Sequence, residues 1–87
     1  MQITTQFLTG AEWNAIAVHL ELTPRERGLL REAVLGVSED GIAKELGISR
    51  NTVHAHMTRM YRKVGARDRA QLVLCVFRAY VEIAKGT

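Results

Sequence analysis

The eleven residues from Ala43 to Val53, A-K-E-L-G-I-S-R-N-T-V, constrain the fold more than any other part of the chain. Leu46 closes a short helical pattern. Gly47 follows, where a helix C-terminus favours a left-handed residue. Ile48 is apolar and suited to plug a corner between two helices. Ser49 is a good N-cap, and the helix it opens carries Arg50, Asn51, His54 and Thr58. A helix that ends, turns in three residues and restarts leaves the second helix projecting, a geometry that can enter the major groove of DNA.

The rest of the chain is punctuated in the same way. Thr23-Pro24-Arg25-Glu26 is a capping box with proline at the first helical position; its helix should run to about Leu35. Gly36-Val37-Ser38 stops it and caps a helix near Glu39 to Leu46. The projecting helix spans about Arg50 to Val64, where Gly65-Ala66 ends it. Asp68 with Gln71 forms another capping box, opening a last helix over roughly Arg69 to Lys85. Upstream, Thr9 and Glu12 have capping-box spacing, and Trp13, Ile16, Ala17 and Leu20 form an amphipathic stripe. Met1 to Leu8, with Ile3, Phe7 and Leu8, reads as an extended arm. There is no strand alternation and no internal repeat. The expected class is all-α with five helices: residues 1–21 as arm and amphipathic helix, residues 22–87 as the helix-turn-helix domain.

A chain of 87 residues, 47% of them apolar, with one proline and seven glycines, is enough for one small globular domain. No apolar run reaches membrane-spanning length, and no basic region followed by an apolar block opens the chain. The expectation is a soluble cytoplasmic protein with no membrane partner. The single cysteine, Cys75, excludes an internal disulfide and reads as a small, semi-buried hydrophobe. The net charge of +3 is unevenly spread. Between Arg50 and Arg69, the cations Arg50, Arg59, Arg62, Lys63, Arg67 and Arg69 face one acid, Asp68. A localised basic patch of this kind suggests a polyanionic partner.

Angular position sorts the projecting helix. With Val53 at the centre of the buried face and about 100° per residue, Met57, Met60 and Val64 share that face. Asn51, Ala55, Thr58 and Arg62 lie opposite, flanked by His54 and Arg59; Tyr61 and His56 border the core. The outward face therefore has small and polar residues early and cations late. Asn51 can pair with adenine, His54 can donate to guanine or phosphate, and the methyls of Ala55 and Thr58 can touch thymine methyls. His54 and His56 lie about 200° apart and cannot share a metal ion. His56 reads as a border residue with one nitrogen satisfied locally. No nucleophile–base pair, phosphate loop or carboxylate pair is evident, so neither an enzyme, nor a metal, nor a cofactor is expected.

The last helix carries too much apolar surface. Gln71, Cys75, Arg78 and Glu82 form its polar-tolerant stripe, and almost everything else is apolar. Val73, Phe77 and Tyr80 with Val76 are expected to cover the core. The remaining surface needs the N-terminal helix or a second copy of the chain. Leu72, Val76, Ala79, Tyr80, Ile83 and Trp13 are the expected homodimer contacts.

Leu22-Thr23-Pro24-Arg25-Glu26-Arg27, Ile42-Ala43, Leu46-Gly47-Ile48-Ser49, Thr52-Val53, His56 and Lys63-Val64-Gly65-Ala66-Arg67-Asp68-Arg69-Ala70-Gln71-Leu72 together resemble the LuxR/GerE-type DNA-binding domain over about Leu22 to Val81. The resemblance implies a four-helix domain, here with an additional N-terminal helix. Its third helix would read double-stranded DNA, and its fourth would form a homodimer. By position, the base-reading sites are His54, Ala55 and Thr58, with Asn51 near them. Thr52, Arg62 and Arg67 match positions that approach phosphates; Arg50, Arg59 and Lys63 are further candidates. The chain departs from the family at Glu39-Asp40-Gly41, where Asn-Lys-Glu is frequent, and at His54, which replaces a frequent lysine. Only about twenty-one residues precede the matched segment, which leads to the expectation of a stand-alone regulator without a sensor domain.

Two other readings fit the same residues. One is an interaction protein that sequesters a related full-length regulator through its last helix. The other is a module similar to sigma-factor region 4 that contacts RNA polymerase; the segment from Gly65 to Leu72 favours the LuxR/GerE type over it.

Overall fold

The computed structural model describes residues 8–86, and these contain five helices and no strand. They are α1 (Gly10–His19), α2 (Pro24–Val34), α3 (Glu39–Leu46), α4 (Arg50–Val64) and α5 (Arg69–Gly86). The expected arm falls mostly on residues 1–7, outside the described residues; Leu8 is half-buried against the core.

The boundaries follow from local hydrogen bonding. At Thr9 the hydroxyl accepts from the Glu12 amide at 3.1 Å, while the Glu12 carboxylate accepts from the Thr9 amide at 2.8 Å. Thr23 and Glu26 repeat the reciprocal pair at 3.1 and 2.9 Å. Ser38 and Ser49 cap α3 and α4 through the amides of Gly41 and Thr52. The Asp68 carboxylate accepts from the Gln71 amide, but the Gln71 side chain reaches one residue further back, to the Arg67 amide at 2.8 Å. Each bond satisfies a donor that a helix N-terminus otherwise leaves open.

One core joins all five helices. Trp13, Ile16 and Ala17 of α1 meet Leu29, Leu30 and Ala33 of α2, Ile42 and Ala43 of α3, Val53, Met57 and Met60 of α4, and Leu72, Val76 and Ala79 of α5. α3 packs on α4, while α1 lies across α5 and α2. Two polar contacts pin α1 to α5: His19 Nε2 to Glu82 at 2.8 Å, and the Tyr80 hydroxyl donating to Glu12 at 3.3 Å.

The structure corrects the expected assignment of faces on α5. Leu72, Val76 and Ala79 are buried in this chain's own core, Ile83 packs beside them, and Trp13 is 3% exposed. These residues close the monomer and are not open to a second copy. Of the residues expected inward, Val76 is buried, whereas Val73, Phe77 and Tyr80 are exposed, as is Leu74. Leu72, Val76, Ala79 and Ile83 form one stripe, and Val73, Phe77 and Tyr80 form another about 100° around the helix. Both are apolar, so periodicity alone does not say which faces in. The docking of α1 and the turn after α4 decide it.

Candidate nucleic-acid interface

The α3–α4 corner sets the site. Gly47 has φ 68°, a left-handed conformation that a glycine adopts without Cβ strain. The Ile48 amide then donates to the Ala43 carbonyl at 3.1 Å, closing the end of α3. Ile48 is half-buried against the core, and Ser49 restarts the chain as α4. Gly41 sits close to the cap of α3: a Cβ there would lie 3.0 Å from Val37 Cγ1 and 3.3 Å from the capping hydroxyl of Ser38.

With Val53, Met57 and Met60 fully buried, α4 turns Asn51, His54, Ala55, Thr58, Arg59 and Arg62 to solvent. Arg50 and Thr52 are also exposed, at the start of the helix. The structure thus brings together the four base-reading candidates on one face, with Arg59 and Arg62 behind them. Thr52 has its hydroxyl 2.8 Å from that of Ser49. Arg67 lies in the exposed turn after α4.

The cations are not equivalent. Arg50 Nε lies 3.5 Å from Asp40, and Lys63 Nζ donates to Glu26 at 2.8 Å. Arg59 donates to His56 Nδ1 at 2.9 Å, which leaves its charge uncompensated. Arg62 and Arg67 form no side-chain ion pair among the described residues. Arg69, counted in the basic segment, points elsewhere: its guanidinium donates to the Ala33 carbonyl at 3.0 Å and ties α5 to the end of α2. Hydrogen bonding from Lys63, then from the Thr23 backbone, holds the Glu26 carboxyl below its ordinary value. Burial pushes the Tyr61 hydroxyl, at the core border, upward.

The acids of α3 reach α4 in a way the sequence did not reveal. Both Glu39 oxygens lie 3.2 Å from His54 Nδ1, one residue from the Asp40–Arg50 pair. The two acids were visible only as a departure from a family pattern. Their partners lie ten and fifteen residues on, across the turn, and no helical spacing links them. No group of histidine, cysteine and acidic side chains among the described residues could hold a metal ion, and no described helix is long and apolar enough to cross a membrane.

Comparison with known proteins agrees with this geometry. Residues 20–76, about two thirds of the chain, match the family of bacterial regulatory proteins described as the luxR family. An HTH-type transcriptional regulator of Mycobacterium bovis is 46% identical over 52 residues, 60% of this chain and 6% of that protein. The csgBAC operon transcriptional regulatory protein of Escherichia coli is 38% identical over 52 residues, 60% of this chain and 24% of its own length. A transcriptional regulatory protein NarL of Mycobacterium tuberculosis is 42% identical over the same length, again 24% of that protein. The chain therefore spans a quarter or less of these relatives. No solved structure matches it. The chain belongs to the luxR family of bacterial regulatory proteins.

Proposed function

We propose that this member of the luxR family is a sequence-specific DNA-binding transcription regulator, a binding protein and not an enzyme, that acts as a homodimer with α4 in the major groove. The observation that carries the reading is the composition of the α4 outward face. Asn51, His54, Ala55 and Thr58 can address base edges, and Arg59, Arg62 and Arg67 bring uncompensated charge to the phosphates. The transcriptional regulators it resembles support the same class of function.

The surface we propose for the second copy is the exposed stripe of α5. Val73, Phe77 and Tyr80, with Leu8, Val34 and Val76, line an apolar groove. Phe77 is 65% exposed, a large apolar side chain that gains by burial in an interface. This stripe replaces Leu72, Val76, Ala79, Ile83 and Trp13 as the contact, while Tyr80 remains.

The direct test is a salt titration of binding to duplex DNA. Affinity should fall by about 0.9 log units per log unit of salt for each phosphate neutralised. Arg62→Ala should bind all sequences more weakly. Wild type and R62A binding equally poorly at low salt would defeat the proposal. The acid pairs on Arg50 and His54 favour a second reading, in which the α5 surface pairs with a related regulator and sequesters it. Under that reading the chain alone binds no DNA and associates with such a regulator instead.

A further inference from the structure

The contact between Glu39 and His54 bears on which base the protein reads. The His54 side chain is 69% exposed on the outward face of α4, while Glu39 is 23% exposed and fixed at the first position of α3. Both carboxylate oxygens lie 3.2 Å from Nδ1. A carboxylate only accepts hydrogen bonds, so Nδ1 must carry the proton. In the neutral ring Nε2 is then left as an acceptor. Nε2 has no partner among the described residues, and it sits across the ring from Glu39. Arg50, the cation that opens α4, is paired with Asp40 instead.

We propose that Glu39 is a positioning residue for base choice: it locks neutral His54 in the tautomer that presents Nε2 to the groove as an acceptor. The proposal rests on the DNA-binding reading above. An acceptor at this position matches the amino group of adenine or of cytosine. Guanine and thymine offer O6, N7 or O4 there, which repel a second lone pair. On the sequence alone His54 was a donor, to guanine or to phosphate. In the neutral ring the acid from α3 reverses that role without touching DNA, whereas both nitrogens of an imidazolium would donate.

The first test needs no DNA. In the full chain carrying 15N-labelled histidine, at about pH 8.5 and so above the usual imidazole range, His54 should show a protonated Nδ1 and an unprotonated Nε2. His54→Gln assigns the signals. Glu39→Gln, whose amide no longer demands a donor, should move the ring toward the Nε2–H tautomer. A wild-type His54 bearing its proton on Nε2 overturns the proposal.

The second test is selection from random duplex DNA at the same pH. His54→Ala locates the base position by flattening its preference. There the wild type should favour adenine or cytosine over guanine by about tenfold. E39Q should lose most of that bias, and Glu45→Gln, at an exposed acid further along α3, should keep it. Selection by the wild type with the bias unchanged in E39Q overturns this proposal and leaves the DNA-binding reading standing. Absence of any selected sequence overturns both.

Discussion

The α3–α4 unit and the α1–α5 pair share one core but meet solvent differently. On α4 the side away from Met57 and Met60 is polar and basic. On α5 the side away from Leu72 and Val76 still carries Val73, Phe77 and Tyr80. In the first unit, burial and exposure follow directly from the amphipathic pattern, because only one face is apolar. In the second, two apolar stripes compete for the core, and packing across the whole chain chooses between them. The difference teaches that an amphipathic pattern fixes orientation only when it has a single apolar face. A surplus apolar stripe is where a partner is to be sought.

The largest expected effect breaks the α5 assignment if it is wrong. Leu72→Ala should cost about 2–5 kcal/mol in urea unfolding, as a truncation in a closed core. Phe77→Ala should change the stability of the monomer by less than about 1 kcal/mol. Sedimentation should show its effect instead, as a shift from dimer to monomer. Equal destabilisation by both would mean that the two stripes share the core.

Next in size is the contrast among the cations of α4. Arg62→Ala should lower the magnitude of the salt slope by about 0.9, because one phosphate is no longer neutralised. Lys63→Ala should change it less, because Glu26 already holds that ammonium. Equal slopes for the two variants would show that DNA draws Lys63 away from its pair.

A smaller effect is expected at the α1–α2 turn. Glu21 has φ 59°, in the left-handed region where a Cβ is strained. Glu21→Gly should raise the unfolding free energy by about 1 kcal/mol. A decrease in thermal or urea unfolding would show that Glu21 contributes more than its backbone shape.

The smallest concerns Glu26, which ties α2 to α4. Its carboxyl is held below the ordinary value of 4.5, so the native state favours the charged form. That contribution is present above pH 4.5 and fades as pH falls through the lowered value. Glu26→Gln should therefore cost about 1 kcal/mol or less at neutral pH. The gap to wild type should close in acid. A gap that widens in acid would reverse the assigned direction.

Much of the fold was legible because its signals are local. Thr9 with Glu12, Thr23 with Glu26, Ser38 and Ser49 each lie three residues from the amide they cap, and helix starts fell where they stand. The outward face of α4 was legible for the same reason. Three features were not. The inward stripe of α5 depends on where α1 docks. Arg69 looked like one more cation of the basic segment, yet it bonds to a carbonyl thirty-six residues away. The hold of Glu39 on His54 crosses a turn whose angle no sequence spacing encodes. Each depends on tertiary geometry, and two of the three alter the charge or the hydrogen-bonding sense of the surface offered to a partner.

In the proposed assembly, two copies joined through α5 present two α4 helices to DNA. Selecting bound sites from random duplexes with the purified chain, at stated salt, tests it most directly. The account predicts a two-fold symmetric consensus, its half-sites centred about 10 base pairs apart or a multiple of that. Phe77→Asp should reduce it to a weak single half-site. No enrichment by the wild type, or a single asymmetric site unaffected by Phe77→Asp, would contradict it.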